Sequence, residues 1–297
     1  MTNPDPKGTL YIYDYSSKKD LRAIRLFGYP ENADFHPLGL DFFRGTEGGL
    51  TRLFVVNHQR TGSTIDILDL DYGKAHATFI TSVCDGNHNL VSPNAIAPIS
   101  YTSFYFTNDH RFISRFNPFL NSQETRRVLP LGWATLVDLS HGGPKFKTVA
   151  RKIPFANGIV LTPTGKEVVI ASTGALELRV YDRDPQTNSL TYRDRVPLKF
   201  RPDNLNFDES LDVSDESVFD KDGKFLRGLI CGGHPSPNGI VAMARDPLHA
   251  RAPSWVAEVR RGVGRDSAPV SAMPADSTDR FHVHTLYQGK PSMLPPF

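Results

Sequence analysis

Cysteine is nearly missing from this chain: Cys84 and Cys231 are the only two among 297 residues. Two are too few for a disulfide framework, and the geometry that one bridge needs is not readable from sequence. Both are expected as reduced core residues. Charge of one sign is lacking too, since 34 Lys and Arg against 32 Asp and Glu leave +2, interspersed along the chain. That is not the electrostatic footprint of a nucleic-acid binder. The one basic cluster, Arg260 and Arg261 with Arg265 in RRGVGR, is glycine-rich and is expected as a solvated loop. No apolar run approaches the roughly 20 residues that span a bilayer, so no transmembrane segment is expected. The start, MTNPDPKGTL, has no apolar h-region, so the chain as written reads as cytoplasmic; a leader upstream would make it secreted or membrane-associated. No Gly-x-Ser-x-Gly elbow offers a serine nucleophile, and no glycine-rich phosphate loop follows a strand.

What is present is strand. With 39% apolar and 22% charged residues the chain can bury a sizeable core in one large domain or two. Convincing amphipathic helices are absent. Runs such as RLFVVNH (52–58), STIDILDLD (63–71), SFYFTND (103–109), LELRVYDRD (176–184) and IVAMARD (240–246) alternate with period two between turn residues. They group into four-stranded meanders over 36–83, 93–151, 154–198 and 203–261, the second with an insertion around Arg115 to Pro130. A repeat of that kind is the signature of a β-propeller, and the whole chain is read as one all-β domain. TLYIYDY and LRAIRLFG, within 8–27, are expected as a half-blade without a partner, and 262–297 as an incomplete C-terminal segment. In that segment His282 and His284 share a face of an exposed strand.

One polar residue recurs at the head of these units. Asn94 in SPNAIAPI, Asn157 in FANGIVLT and Asp203-Asn204 in RPDNLNFD each follow a Pro or Ala turn and open a short apolar strand. The first strand of a propeller blade lines the channel, so these residues, with Leu38 at the matching place, are expected around one axial pocket. Amide and carboxylate oxygens without cysteine are the ligand set that calcium prefers. The plainer reading, that Asn and Asp cap turns, stays open for each.

The strings FVVNH (54–58), FYFTNDHRF (104–112), FANGIVLTPTGKEVVIA (155–171), PDNLNFD (202–208) and GGHPSPNG (232–239) resemble the serum paraoxonase/arylesterase family, in order, over about residues 8–261. The resemblance implies a six-bladed propeller, here with about four full blades, that carries a catalytic calcium and a second, structural one. It also implies hydrolysis of lactones, aryl esters and some organophosphates, with small-molecule substrates. On the matching positions, Asn94, Asn157, Asp203 and Asn204 would bind the catalytic calcium. His58 would belong to a histidine pair that activates water, Asp109 would stand near the metal, and Phe155, Leu38 and His234 would line the substrate pocket. Three departures follow. Leu38 stands where the other histidine of the pair belongs, with His36 two residues before it; Ala95 replaces the aspartate of the structural calcium; and the family's Glu-Asp pair precedes the start of this chain. The resulting expectation is a calcium-dependent arylesterase or lactonase. The alternative is an impaired or inactive propeller that serves as a binding scaffold.

Overall fold

Period-two runs separated by tight turns fold as antiparallel meanders, and a computed structural model shows them so over residues 7–16, 20–31, 33–45, 49–85, 88–246, 248–262 and 280–289. Strands β1 (Tyr11–Asp14) and β2 (Asp20–Ala23) form a hairpin of their own. β3 (Arg25–Phe27) lies parallel to β7 (His76–Val83) at the outside of a first sheet, ordered β3-β7-β6-β5-β4, with β4 Pro37–Arg44, β5 Thr51–Gln59 and β6 Gly62–Asp71. Of the expected half-blade, β1 and β2 pair with each other alone, whereas the second run splits and its end, β3, joins the first sheet, with Leu26 packed against the core that holds Leu53, Val55 and Leu68.

A second sheet holds β8 (Pro93–Pro98), β9 (Ser103–Asn108), β10 (Gly132–Asp138) and β11 (Lys145–Ile153), with helix α1 (Pro118–Arg126) in the long β9–β10 connection. A third holds β12 (Ala156–Leu161), β13 (Glu167–Ser172), β14 (Glu177–Arg183) and β15 (Leu190–Pro197). A fourth holds β16 (Arg201–Phe207), β17 (Leu229–His234), β18 (Trp255–Arg261) and β19 (Phe281–Gln288). By their contacts the residues divide into two compact units, 1–122 with 134–148, and 123–133 with 149–297. The first unit is built on Phe54, Val56, Ile65, Phe104 and Phe106 together with the smaller group around Leu68, and the second on Val169, Val180, Phe225, Leu229 and Val259.

Three further expectations are overturned. IVAMARD is not a strand: residues Pro237–Arg245 form helix α2, because Ser236 caps it with Oγ accepting from Gly239 N at 3.1 Å, and Pro237 opens it where its missing N–H costs nothing. Arg260 and Arg261 are not in a solvated loop but close β18, where Arg261 continues the inward alternation of Ala257 and Val259 and is only 6% exposed. Arg265, of the same cluster, lies outside the described residues, as does most of 262–297. Cys231 is a free core thiol, but Cys84 is exposed just past the end of β7.

Candidate functional site

The first strand of each of the four repeats, β4, β8, β12 and β16, carries the same irregularity. Pro37 faces Asn57 and Leu40 faces Val55; Pro93 faces Asn108 and Ile96 faces Phe106; Ala156 faces Ser172 and Ile159 faces Ile170; Pro202 faces Gly233 and Leu205 faces Cys231. Each time the first strand advances three residues while its neighbour advances two. The extra residue makes a β-bulge, which breaks the alternation of side chains and re-aims them. The doubled pairs are Leu38-Gly39, Asn94-Ala95, Asn157-Gly158 and Asp203-Asn204. The bulges thus fall on the positions that the recurring polar residue marks in sequence.

In the first unit the β8 bulge meets the end of β9. Asn94 Nδ2 donates to Asp109 Oδ2 at 3.0 Å, while Ser92 Oγ and His110 Nδ1, the latter at 2.9 Å, lie against Asp109 Oδ1. Burial pushes the Asp109 carboxyl up, but His110, with Ser92 and Asn94, more than offsets it and holds the group below the usual carboxylate range. His58 reaches from the end of β5 to the β8 backbone, with Nε2 2.8 Å from Pro93 O. A carbonyl only accepts, so Nε2 carries the hydrogen, and Nδ1 lies 3.4 Å from Ser63 Oγ. His58, Ser63, Ser92, Asp109, His110 and Phe116 share the wall of a cavity of about 320 Å³. Leu38, 55% exposed, lies instead with His36 and His58 in a shallower concavity of about 530 Å³.

The second unit repeats the device with other residues. Asn157, 4% exposed, donates from Nδ2 to Thr173 Oγ1 at 3.1 Å, and Thr173 Oγ1 donates to Pro202 O at 2.5 Å. Thr173 spends its one hydroxyl hydrogen on that carbonyl, so it must accept from the Asn157 amide. Asp203 lies 3.3 Å from His234 Nε2, and Asn204 beside it is exposed. The two bulges of this unit touch through Gly158: a Cβ there would overlap the Asp203 carbonyl oxygen and lie 3.0 Å from Leu205 N. Gly39 plays the same part against Asn94 in the first unit. Phe155 occupies the two-residue turn between β11 and β12 with φ +55°, a conformation rare for a bulky residue; its carbonyl accepts from Thr173 N at 3.1 Å.

These contacts bear on whether a hard cation fits. With Asn94 held by the carboxylate of Asp109 and Asn157 by the lone pair of Thr173, each amide must present nitrogen to its clamp, which turns its carbonyl oxygen the other way. Orientation by an outer hydrogen bond is how metal ligands are commonly set. Among the described residues no three His, Cys, Asp or Glu side chains gather as a metal cluster, so an ion here would depend on amide oxygens, the chemistry of calcium rather than zinc. Sequence reasoning missed Ser92, His110 and Thr173. His58, Asp109, Thr173 and His234 are the residues that follow Asn57, Asn108, Ser172 and Gly233, the partners of the bulged strands, so aligning the repeats on their second strands would have found Thr173.

Comparison with known proteins gives a consistent picture. The arylesterase family model matches residues 1–215. Human serum paraoxonase/arylesterase 2 is 32% identical over 209 residues, 70% of this chain and 56% of that protein. Human serum paraoxonase/lactonase 3 is 24% identical over 236 residues, 79% of this chain and 59% of that protein. The chain spans little more than half the length of these relatives. A solved protein from Lactobacillus plantarum aligns with 100% of this chain and 67% of its own, at TM-score 0.50 and 14% identity, a likeness of fold alone. No helix among the described residues is long and apolar enough to cross a membrane.

Proposed function

The chain belongs to the arylesterase family, and on that premise we propose that it is a calcium-dependent hydrolase of aryl esters or lactones built on propeller blades. The observation that carries the reading is the bulge repeated in four sheets, with the Asn94 and Asn157 amides clamped so that their oxygens face away from the clamps. Asn157, Asp203 and Asn204, whose bulges meet through Gly158, are the residues of the second unit that would hold the ion, and Asn94 is their counterpart in the first unit. Bound calcium supplies Lewis-acid polarisation of the substrate's carbonyl or phosphoryl oxygen. His58, with Nε2 committed to Pro93, takes a proton from the attacking water on Nδ1. Asp109 stays ionised and orients Asn94 and His110. Leu38, in the concavity that His58 shares, would offer apolar surface to an aryl or lactone ring.

Hydrolysis of phenyl acetate and of a simple lactone, followed with and without a calcium chelator, tests this. Turnover that the chelator abolishes, and that Thr173→Val lowers by about 10–100-fold through misorientation of Asn157, is the expected result. Chelator-insensitive turnover, or none in a folded protein, contradicts it. The absence of turnover would favour a binding scaffold, a reading supported by Leu38, an apolar residue in the first bulge.

A further inference from the structure

The outer strands of the third sheet carry a charge arrangement that the hydrolytic reading does not use. On neighbouring strands β14 and β15, Arg179 faces Arg195 and Tyr181 faces Tyr192. Like charges directly opposite each other on an antiparallel pair are destabilising, so the arrangement needs a reason. Glu177 supplies part of the compensation, with Oε1 accepting from Arg179 Nε at 2.9 Å, and Arg179 Nη1 donates to Lys152 O at 2.7 Å. Arg151, from the end of β11, lines the same cavity of about 450 Å³. Three guanidiniums and the one carboxylate of Glu177 thus line that cavity. Two aromatic rings stand in its wall beside aliphatic Val149 and Leu190: Tyr181 and Tyr192 meet edge to face at 5.7 Å, and Tyr192 is 54% exposed. Burial pushes the Tyr181 phenol up to about 12, although Arg179 draws it down, so it remains a neutral hydroxyl.

We propose that this cavity is a binding site for a phosphate monoester that carries a flat ring, with the phosphate taken by Arg195, Arg151 and Arg179 and the ring laid on Tyr192. A planar guanidinium matches phosphate through paired N–H donors, which a lysine cannot do. A dianion would also relieve the Arg179–Arg195 opposition. Neither Arg151 nor Arg195 is buried, so both can close on a ligand without disturbing the core. The site is independent of calcium and of hydrolysis, and binding alone reads it.

Phenyl phosphate, titrated calorimetrically at low salt against the full chain, is the probe, with inorganic phosphate and phenol as its two halves. Saturable binding of one phenyl phosphate is expected, weaker binding of inorganic phosphate and none of phenol. Arg195→Ser should weaken phenyl phosphate by about tenfold or more, Arg195→Lys by less, and Tyr192→Ala should weaken phenyl phosphate by about threefold while leaving inorganic phosphate unchanged. Thermal melting of each variant separates lost binding from lost folding, and Arg151→Ser supplies a second guanidinium deletion should Arg195→Ser melt early. No saturable binding to the wild type, or binding that survives loss of both exposed guanidiniums in folded protein, overturns the proposal. Equal affinity for inorganic and phenyl phosphate overturns the ring's part in it.

Discussion

Arg261→Met is expected to lower the unfolding free energy by about 3–5 kcal/mol, because it strands a buried charge. Glu167 is 0% exposed and holds two hydrogen bonds, from Arg261 Nη2 at 2.7 Å and from Phe225 N at 3.0 Å. The guanidinium is itself packed 4.9 Å from the centre of the Phe225 ring and 5.2 Å from that of Phe281. Methionine keeps much of the apolar contact and removes the charge. The pH dependence has a definite sign. Burial raises the Glu167 carboxyl above its ordinary range, against the pull of Arg261, and without Arg261 it rises further. An acid whose folded pKa is raised is penalised when ionised, so the deficit is largest at neutral pH. It shrinks as the pH falls through the raised folded value towards the unfolded glutamate range, about 4. Urea unfolding of variant and wild type at matched pH checks both size and slope. Adding Glu167→Gln, which removes the stranded charge and still accepts from Phe225 N, should recover part of the loss at pH 7. A deficit below about 1 kcal/mol, or one independent of pH, would show that the pair is not a buried one.

Gly158→Ala should couple folding to the ion. The new methyl meets backbone on both sides, the carbonyl oxygen of Asp203 and the amide of Leu205, so no side chain can swing aside to admit it. Overpacking of that kind costs about 1–3 kcal/mol. The strain falls on the Asn157 and Asp203-Asn204 bulges together, so calcium affinity should fall by about tenfold or more as well, on the scale seen when ligand orientation is disturbed. Gly232→Ala is the control. Its methyl would meet nothing nearer than Asn204 O at 4.0 Å, and stability should stay within about 0.5 kcal/mol of wild type. Equal behaviour of the two variants would mean that the close approach of β12 and β16 is not needed.

The strands were legible because burial on one or both faces writes itself into spacing, and the positions 94, 157 and 203–204 were legible because the bulge recurs on similar strings. The misreadings have separate physical causes. IVAMARD has the apolar content of a strand, and only the Ser236-Pro237 start turns it into a helix. RRGVGR looks solvated by composition, whereas Arg261 owes its burial to Glu167, 94 residues earlier in the chain. The partner of the end of LRAIRLFG is not readable from sequence because a parallel pairing, here of β3 with β7, has no local hairpin signal. Ser92, His110 and Thr173 were passed over because a residue that orients another need not resemble a ligand. The charge opposition of Arg179 and Arg195 was invisible until the register of β14 on β15 was known.

The central claim is that the bulges of β12 and β16, which meet through Gly158, hold a hard cation through amide and carboxylate oxygens, and calorimetric titration of chelator-stripped protein with calcium tests it most directly. The account predicts calcium uptake that Asn157→Ala abolishes while thermal melting shows the apoprotein still folded. Titrations of folded wild type that show no uptake, or uptake that Asn157→Ala leaves unchanged, would contradict it.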